Sequence, residues 1–145
     1  MARQSDPTAD GRIDRDVCKL IHRFTQKLDA HVRSVAEELG ITATQVVALR
    51  ELSEPITARE LADRMVCEPS NATFVLDRLE QQGLIERRPH PTDRRAKQIV
   101  LTPDGERYRT DVLTRLNTHS PLAPLTAAQQ ENLRDLLQTL VAQHR

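Results

Sequence analysis

One change of period constrains this chain more than any other feature. Up to Gly83 the apolar residues recur at steps of three and four; beyond it the runs "LIERR" and "KQIVL" follow a period of two. The first spacing puts an apolar stripe on a helix, and the second puts alternate side chains on opposite faces of a strand. Between the two runs lies "PHPTDRRA", rich in turn-formers, so the strands are predicted to pair as a hairpin. Just before them stand two short helical segments, "TARELADRM" and "PSNATFVLDRLEQQ", separated by "VCEP". Two short helices joined by a brief turn make a helix-turn-helix, and a hairpin directly after that unit makes a winged helix.

The rest of the chain reads as helices with marked ends. Val17, Leu20, Ile21, Phe24, Leu28, Val32, Val35, Ala36 and Leu39 form one stripe of a long helix over 14–39, which Gly40 stops. Thr42 with Gln45, and Thr57 with Glu60, are capping boxes opening two further helices; Pro55 ends the first of these. Pro69 suits the first position of the next helix, where its missing N–H is no loss. Thr102-Pro103-Asp104 opens a helix through Tyr108, Val112 and Leu116, broken by Pro121 and Pro124. Thr126 with Gln129 starts a last helix, 126–143, whose face carries Leu133, Leu136, Leu137, Leu140 and Val141. The predicted fold is mainly α with a small β-hairpin. A winged helix-turn-helix core at 42–102 is flanked by helical segments at 14–39 and 104–145, with 1–13 disordered or frayed.

Composition narrows the function classes. Of 145 residues, 38% are hydrophobic and only 2% aromatic, with no Trp. A core of Leu, Val, Ile and Ala suits helices, and so few aromatics leave little for a base-stacking platform of the single-strand-binding kind. No apolar run approaches a membrane span, and "MARQSDPTADGR" lacks the apolar stretch of a signal peptide. Cys18 and Cys67 make neither a disulfide framework nor a metal pattern. The expectation is a cytoplasmic protein with no cofactor and no metal. An enzyme is not expected: there is no nucleophile elbow, P-loop, dinucleotide fingerprint or metal-ligand cluster.

The helix at 69–82 is the first candidate site. Its inward face should hold Ala72, Val75 or Leu76, and Leu79, which leaves Ser70, Asn71, Thr73, Phe74, Asp77 and Arg78 on other faces. Small polar residues suit a helix N-terminus entering a major groove. Asn bonds adenine edges, and Ser or Thr bonds bases or phosphates. The plainer role for Ser70 and Asn71 is capping; the basic hairpin that follows at once favours DNA reading. Phe74 has two roles open to it, contact with a thymine methyl or packing back on the preceding helix.

The hairpin loop is the second. Between Glu86 and Lys97 stand five positive and two negative residues, a local charge of +3 in a chain of net zero. Arginines at a wing tip suit a narrow minor groove, where negative potential concentrates. Asp93 is placed to hold one guanidinium of Arg94 or Arg95 in a fixed pose, with Lys97 beside them. The alternative is a charged, solvated turn.

Residues 58–106 resemble the core of the MarR family of bacterial transcription regulators. The residues that carry the resemblance are Leu61-Ala62, Asp77-Arg78-Leu79-Glu80, Gly83-Leu84, Arg87-Arg88, Asp93-Arg94-Arg95-Ala96, Leu101-Thr102 and Gly105. The number and order of the flanking helices fit as well. The resemblance implies a homodimer whose first and last helices interlock, and double-stranded operator DNA as partner. It implies that Arg95, two residues after Asp93, enters the minor groove, while Arg94 meets phosphate. Phe74 stands where the family usually has a polar or basic residue, which bears on base preference and not on fold. A dimer would read a pseudo-palindrome with half-sites roughly 34–36 Å apart, most commonly as a repressor.

Two signals compete. Relatives of this kind often bind small aromatic or anionic molecules in a crevice between the dimer helices and the reading head. His22, Arg23 and His31 are the polar candidates of the first helix for lining it; otherwise they face solvent. The second signal is oxidation of Cys18, which resembles in position the early cysteine of hydroperoxide-sensing members; Lys19 or His22, if close, would lower its pKa. Cys67 is expected to be structural. A winged helix that binds only protein is a further alternative, and it would need no arginine pair in the wing.

Overall fold

The computed structural model describes residues 7–66 and 69–142. The elements run α1 (Pro7–Leu39), α2 (Ala43–Glu51), α3 (Ala58–Met65), α4 (Pro69–Gln81), β1 (Ile85–Pro89), β2 (Lys97–Leu101), α5 (Pro103–Asn117) and α6 (Ala127–Ala142). The mainly helical architecture with one hairpin is the expected one. Residues 7–13, expected to be frayed, are helical instead. The apolar stripe begins only at Val17, so residues 7–13 carry no periodicity by which a helix could be recognised. Residues 1–6 and the expectation for Cys67 lie outside the described residues.

The helix ends follow local rules. Thr42 and Thr57 each accept from the backbone N–H three residues on, at 3.1 Å, and Gln45 and Glu60 each bond back to the cap N–H. Thr126 and Gln129 repeat the pattern at α6. Gly40 (φ 71°) closes α1 and Gly83 (φ 76°) closes α4. After each, the next residue's N–H reaches back to the last turn: Ile41 to Ala36 O at 3.0 Å and Leu84 to Leu79 O at 2.9 Å. These are Schellman closures.

β1 and β2 are antiparallel, in register from Ile85 opposite Leu101 to Pro89 opposite Lys97. Ile56 adds a one-residue bridge on the other edge of β2. Its N–H donates to Ile99 O at 3.4 Å, and the Ile99 N–H donates to Ile56 O at 2.7 Å. One residue has no alternation, so this third edge left no trace in the sequence pattern.

Leu49, Leu61, Leu76, Leu79, Ile85, Ile99, Val46 and Val112 are the largest fully buried side chains, and they come from α2, α3, α4, both strands and α5. Burial of each such side chain contributes about 1.5–3 kcal/mol. The flanking helices differ. Only the end of α1 enters this core, through Val35 and Ala36. No residue of α6 is buried. Ile13, Leu20, Leu136, Leu140 and Val141 are all more than half exposed. Among the described residues, no helix is long and apolar enough to cross a membrane.

Candidate nucleic-acid interface

α4 presents two unlike faces. Ala72, Val75, Leu76 and Leu79 are buried, as their spacing required. Ser70, Asn71, Thr73, Phe74, Asp77 and Arg78 are all exposed. Phe74 is 67% exposed, so its ring is not folded into the core. It borders a hollow of about 300 Å³ that Thr44, Val47 and Met65 also line.

Asp77 is held by a neighbour that sequence reading missed. The Arg87 guanidinium, on β1, donates to Asp77 Oδ1 at 2.9 Å and also to Glu80. The contacts fasten the hairpin to α4 and offset two carboxylates of its exposed face. Asp77 thus stays on the exposed face of α4 and also tethers the hairpin. Arg88 is likewise engaged, by Glu86 at 3.0 Å. Of the five hairpin cations, Arg94, Arg95 and Lys97 make no ion pair among the described residues.

The wing tip is built by backbone bonds. The Ala96 N–H donates to Asp93 O at 3.1 Å and closes a turn over Arg94 and Arg95. Asp93 Oδ1 accepts from the Arg95 backbone N–H at 3.0 Å. Asp93 therefore steadies Arg95 through its main chain; the expected grip on a guanidinium is absent among the described residues. Pro91 lies in a bend just before this turn. His90 was also missed: its Nδ1 accepts from the N–H groups of Thr92 and Asp93, both at 3.1 Å. Two backbone donors on one lone pair fix the entry to the tip, and Arg94 and Arg95 are left exposed on a loop held by hydrogen bonds.

The helix-turn-helix is braced by cations at the end of α2. Arg109, on α5, donates to Leu49 O at 3.0 Å and Arg50 O at 3.1 Å; Arg64, on α3, donates to Glu51 O at 3.1 Å. Two cations thus meet the carbonyl end of α2, where the helix dipole favours them. At the start of α3, the Thr57 backbone N–H holds the Glu60 carboxyl below its usual range, helped by the Thr57 hydroxyl.

Two hollows adjoin the flanking helices. One, of about 910 Å³, is walled by apolar residues of α1 and α6, among them Leu20, Phe24, Leu133 and Leu137. The other, of about 620 Å³, lies between α1, α2 and α5 and is lined by Asp29, His31, Arg33 and Arg50 among apolar neighbours. His31 lines it and donates from Nε2 to Leu116 O at 2.8 Å. His22 and Arg23 are exposed and are not among its lining. Arg33 and Arg50 went unnoticed because only the packing of α2 against α1 brings them together. Cys18 is an exposed thiol on α1, with no hydrogen bond among the described residues. No cluster of metal-ligating side chains occurs among the described residues.

Known proteins share this arrangement. The sequence model of the MarR family matches residues 41–97. The HTH-type transcriptional regulator YsmB of Bacillus subtilis is 30% identical over 126 residues, covering 86% of this chain and 77% of that protein. The chain belongs to the MarR family. Among solved members, a cysteine-to-serine mutant of MarR from E. coli, complexed with operator DNA, superposes with a TM-score of 0.71. It is 28% identical and covers 94% of this chain and 99% of its own. CouR of Rhodococcus jostii, bound to p-coumaroyl-CoA, reaches 0.77 at 26% identity, covering 90% and 94%. In this MarR-family chain, the matched span takes in α2 to the start of β2, the whole helix-turn-helix and the wing tip.

Proposed function

We propose that this MarR-family chain is a repressor that binds a pseudo-palindromic DNA operator as a homodimer and leaves it when a small molecule binds. The observation that carries the reading is the coupling of α4 to the wing. Arg87 ties the exposed polar helix to a hairpin whose tip is held by main-chain hydrogen bonds and whose tip arginines make no ion pair among the described residues. A helix suits the major groove, and exposed arginines suit the minor groove beside it. Ser70, Asn71, Thr73 and Arg78 are the groove-facing residues in this reading, with Arg94, Arg95 and Lys97 on the wing. A protein-only partner would leave the wing arginines without a role.

The dimer is supported by the apolar face that α1 and α6 leave uncovered. Val17, Leu20, Ile21, Leu137 and Val141 are 41–72% exposed around one hollow, and Leu136 and Leu140 of α6 are exposed as well. A patch of this kind marks an interaction surface, and a second copy offers an equal one. The 620 Å³ hollow supports the effector: Arg33 and Arg50, the latter paired with Glu51, outnumber Asp29 among apolar walls, which suits an anionic molecule with an apolar or aromatic body. Oxidation of Cys18 finds less support, because no cation engages its thiol among the described residues. The cell compartment proposed is the bacterial cytoplasm, at the nucleoid when DNA is bound.

The test is binding to duplex DNA from the protein's own genomic neighbourhood, between about 50 and 200 mM salt. The expected result is a dimer on each site and affinity that falls steeply as salt rises. A protein that shifts no duplex at low salt would end the DNA-binding reading.

A further inference from the structure

Phe74 is the large apolar side chain on the exposed face of α4, and it sits at the centre of that face. Ser70 and Arg78 lie four residues to either side of it, and Asn71 and Asp77 lie three to either side. Residues at those spacings are its neighbours on a helix. All four are polar and exposed. The buried core holds Leu, Val, Ile and Ala and does not include Phe74, which only borders the hollow beside Val47 and Met65. A phenyl group 67% exposed amid polar neighbours is an unsatisfied apolar contact.

The ring has no donor and no acceptor, so it cannot read the polar edge of any base. Duplex DNA offers one apolar group in the major groove, the C5-methyl of thymine. Phe74 is also in the N-terminal half of α4, the part of such a helix that reaches base edges. Its two side-chain torsions make it a stiff probe, which costs little ordering on contact. We propose that Phe74 is a specificity-determining residue that selects a pyrimidine bearing a 5-methyl group, thymine in ordinary DNA, at one position of each half-site. This rests on the DNA-binding reading and adds to it the identity of one base and the residue that selects it. Asn71, three residues before Phe74, places an amide suited to adenine beside the methyl contact, so the selected step should be rich in A·T pairs.

The experiment begins with duplexes that the full-length protein selects from a random pool. Each thymine of the selected site is then replaced singly by deoxyuridine, which removes only the methyl. Wild type should lose about fourfold in affinity at one position per half-site, the worth of one buried methyl group. Restoring the methyl as 5-methylcytosine paired with guanine should recover binding relative to plain cytosine there. Phe74→Ala should melt at the wild-type temperature, bind more weakly, and be indifferent to deoxyuridine at that position. Recovery of no duplex at all would overturn the DNA-binding reading and this proposal with it. If a duplex is recovered but no deoxyuridine lowers wild-type affinity, the Phe74 proposal alone falls. It also falls alone if Phe74→Ala keeps the full deoxyuridine penalty.

Discussion

A Cβ on Gly105 would lie 2.0 Å from the carbonyl oxygen of Leu84. The first turn of α5 is thus pressed against the backbone just ahead of β1. Thr102 completes the joint. Its hydroxyl donates to Gly83 O at 2.6 Å and accepts from Gly105 N–H at 3.0 Å, and its own N–H reaches Leu84 O at 3.1 Å. The end of α4, the hairpin and α5 are locked at one point.

Gly105→Ala should therefore destabilise, because the obstacle is backbone and cannot rotate away. The expected loss is about 3 kcal/mol, at the upper end for overpacking. Thermal melting measures it. A variant as stable as wild type would show that the joint yields easily.

Removing Arg109 should cost about 2 kcal/mol, since two carbonyls at the end of α2 lose a charged donor. Arg109→Lys should restore less than half, because an ammonium cannot fork to both oxygens as a guanidinium does. Urea midpoints for the two variants give the comparison, and equal stability would place the effect in packing by the stem.

At the wing tip, geometry and charge predict opposite signs. Loss of Asp93's negative charge alone should tighten DNA binding. Asp93→Ala also frees the Arg95 main chain, so operator affinity should fall by about 1 kcal/mol. Asp93→Asn keeps the acceptor and drops the charge, so it should bind as tightly as wild type or tighter. Arg95→Ala should lose about 1–3 kcal/mol with the dimer intact. If Asp93→Ala binds more tightly, the backbone clamp is unimportant.

Val66 caps α3 at φ 56° with 90% of its surface exposed. A β-branched residue is strained in that left-handed region. Val66→Gly should raise stability by about 1 kcal/mol even though glycine loosens the unfolded chain. The denaturant midpoint should rise with an unchanged slope.

Glu60 makes stability fall in acid. Its folded pKa lies below the ordinary 4.5, so its contribution is complete above that value. The contribution is lost as pH drops through the folded pKa, when the carboxylate that accepts the Thr57 N–H takes up a proton. Glu60→Gln keeps an acceptor without a titrating group, so its stability should decline less steeply below pH 4.5 than that of wild type. Parallel acid titrations of the two proteins would remove Glu60 from this role.

Interactions that close within one turn of chain were legible beforehand. Thr42 with Gln45 and Thr57 with Glu60 are three-residue relations, and the folded chain keeps both. The buried face of α4 was likewise legible, because 3.6 residues per turn assigns it without reference to the rest of the molecule. His90 was local too: its acceptor serves donors two and three residues on, yet nothing about a histidine in a loop announces that geometry.

The sequence by itself determined the order of helices and strands, the apolar faces and the exposed polar face of α4, since these follow from periodicity and short-range hydrogen bonds. Only the tertiary structure decided how those pieces are held. Arg87 reaches back to α4 across 10 residues and Arg109 back to α2 across 60. Arg33 and Arg50 come to line one hollow from two different helices. Long flexible cations can pair with many partners at similar energy, so the chain alone does not choose among them. Packing of the apolar faces brings one set of carbonyls and carboxylates within reach, and that choice leaves Arg94, Arg95 and Phe74 facing outward.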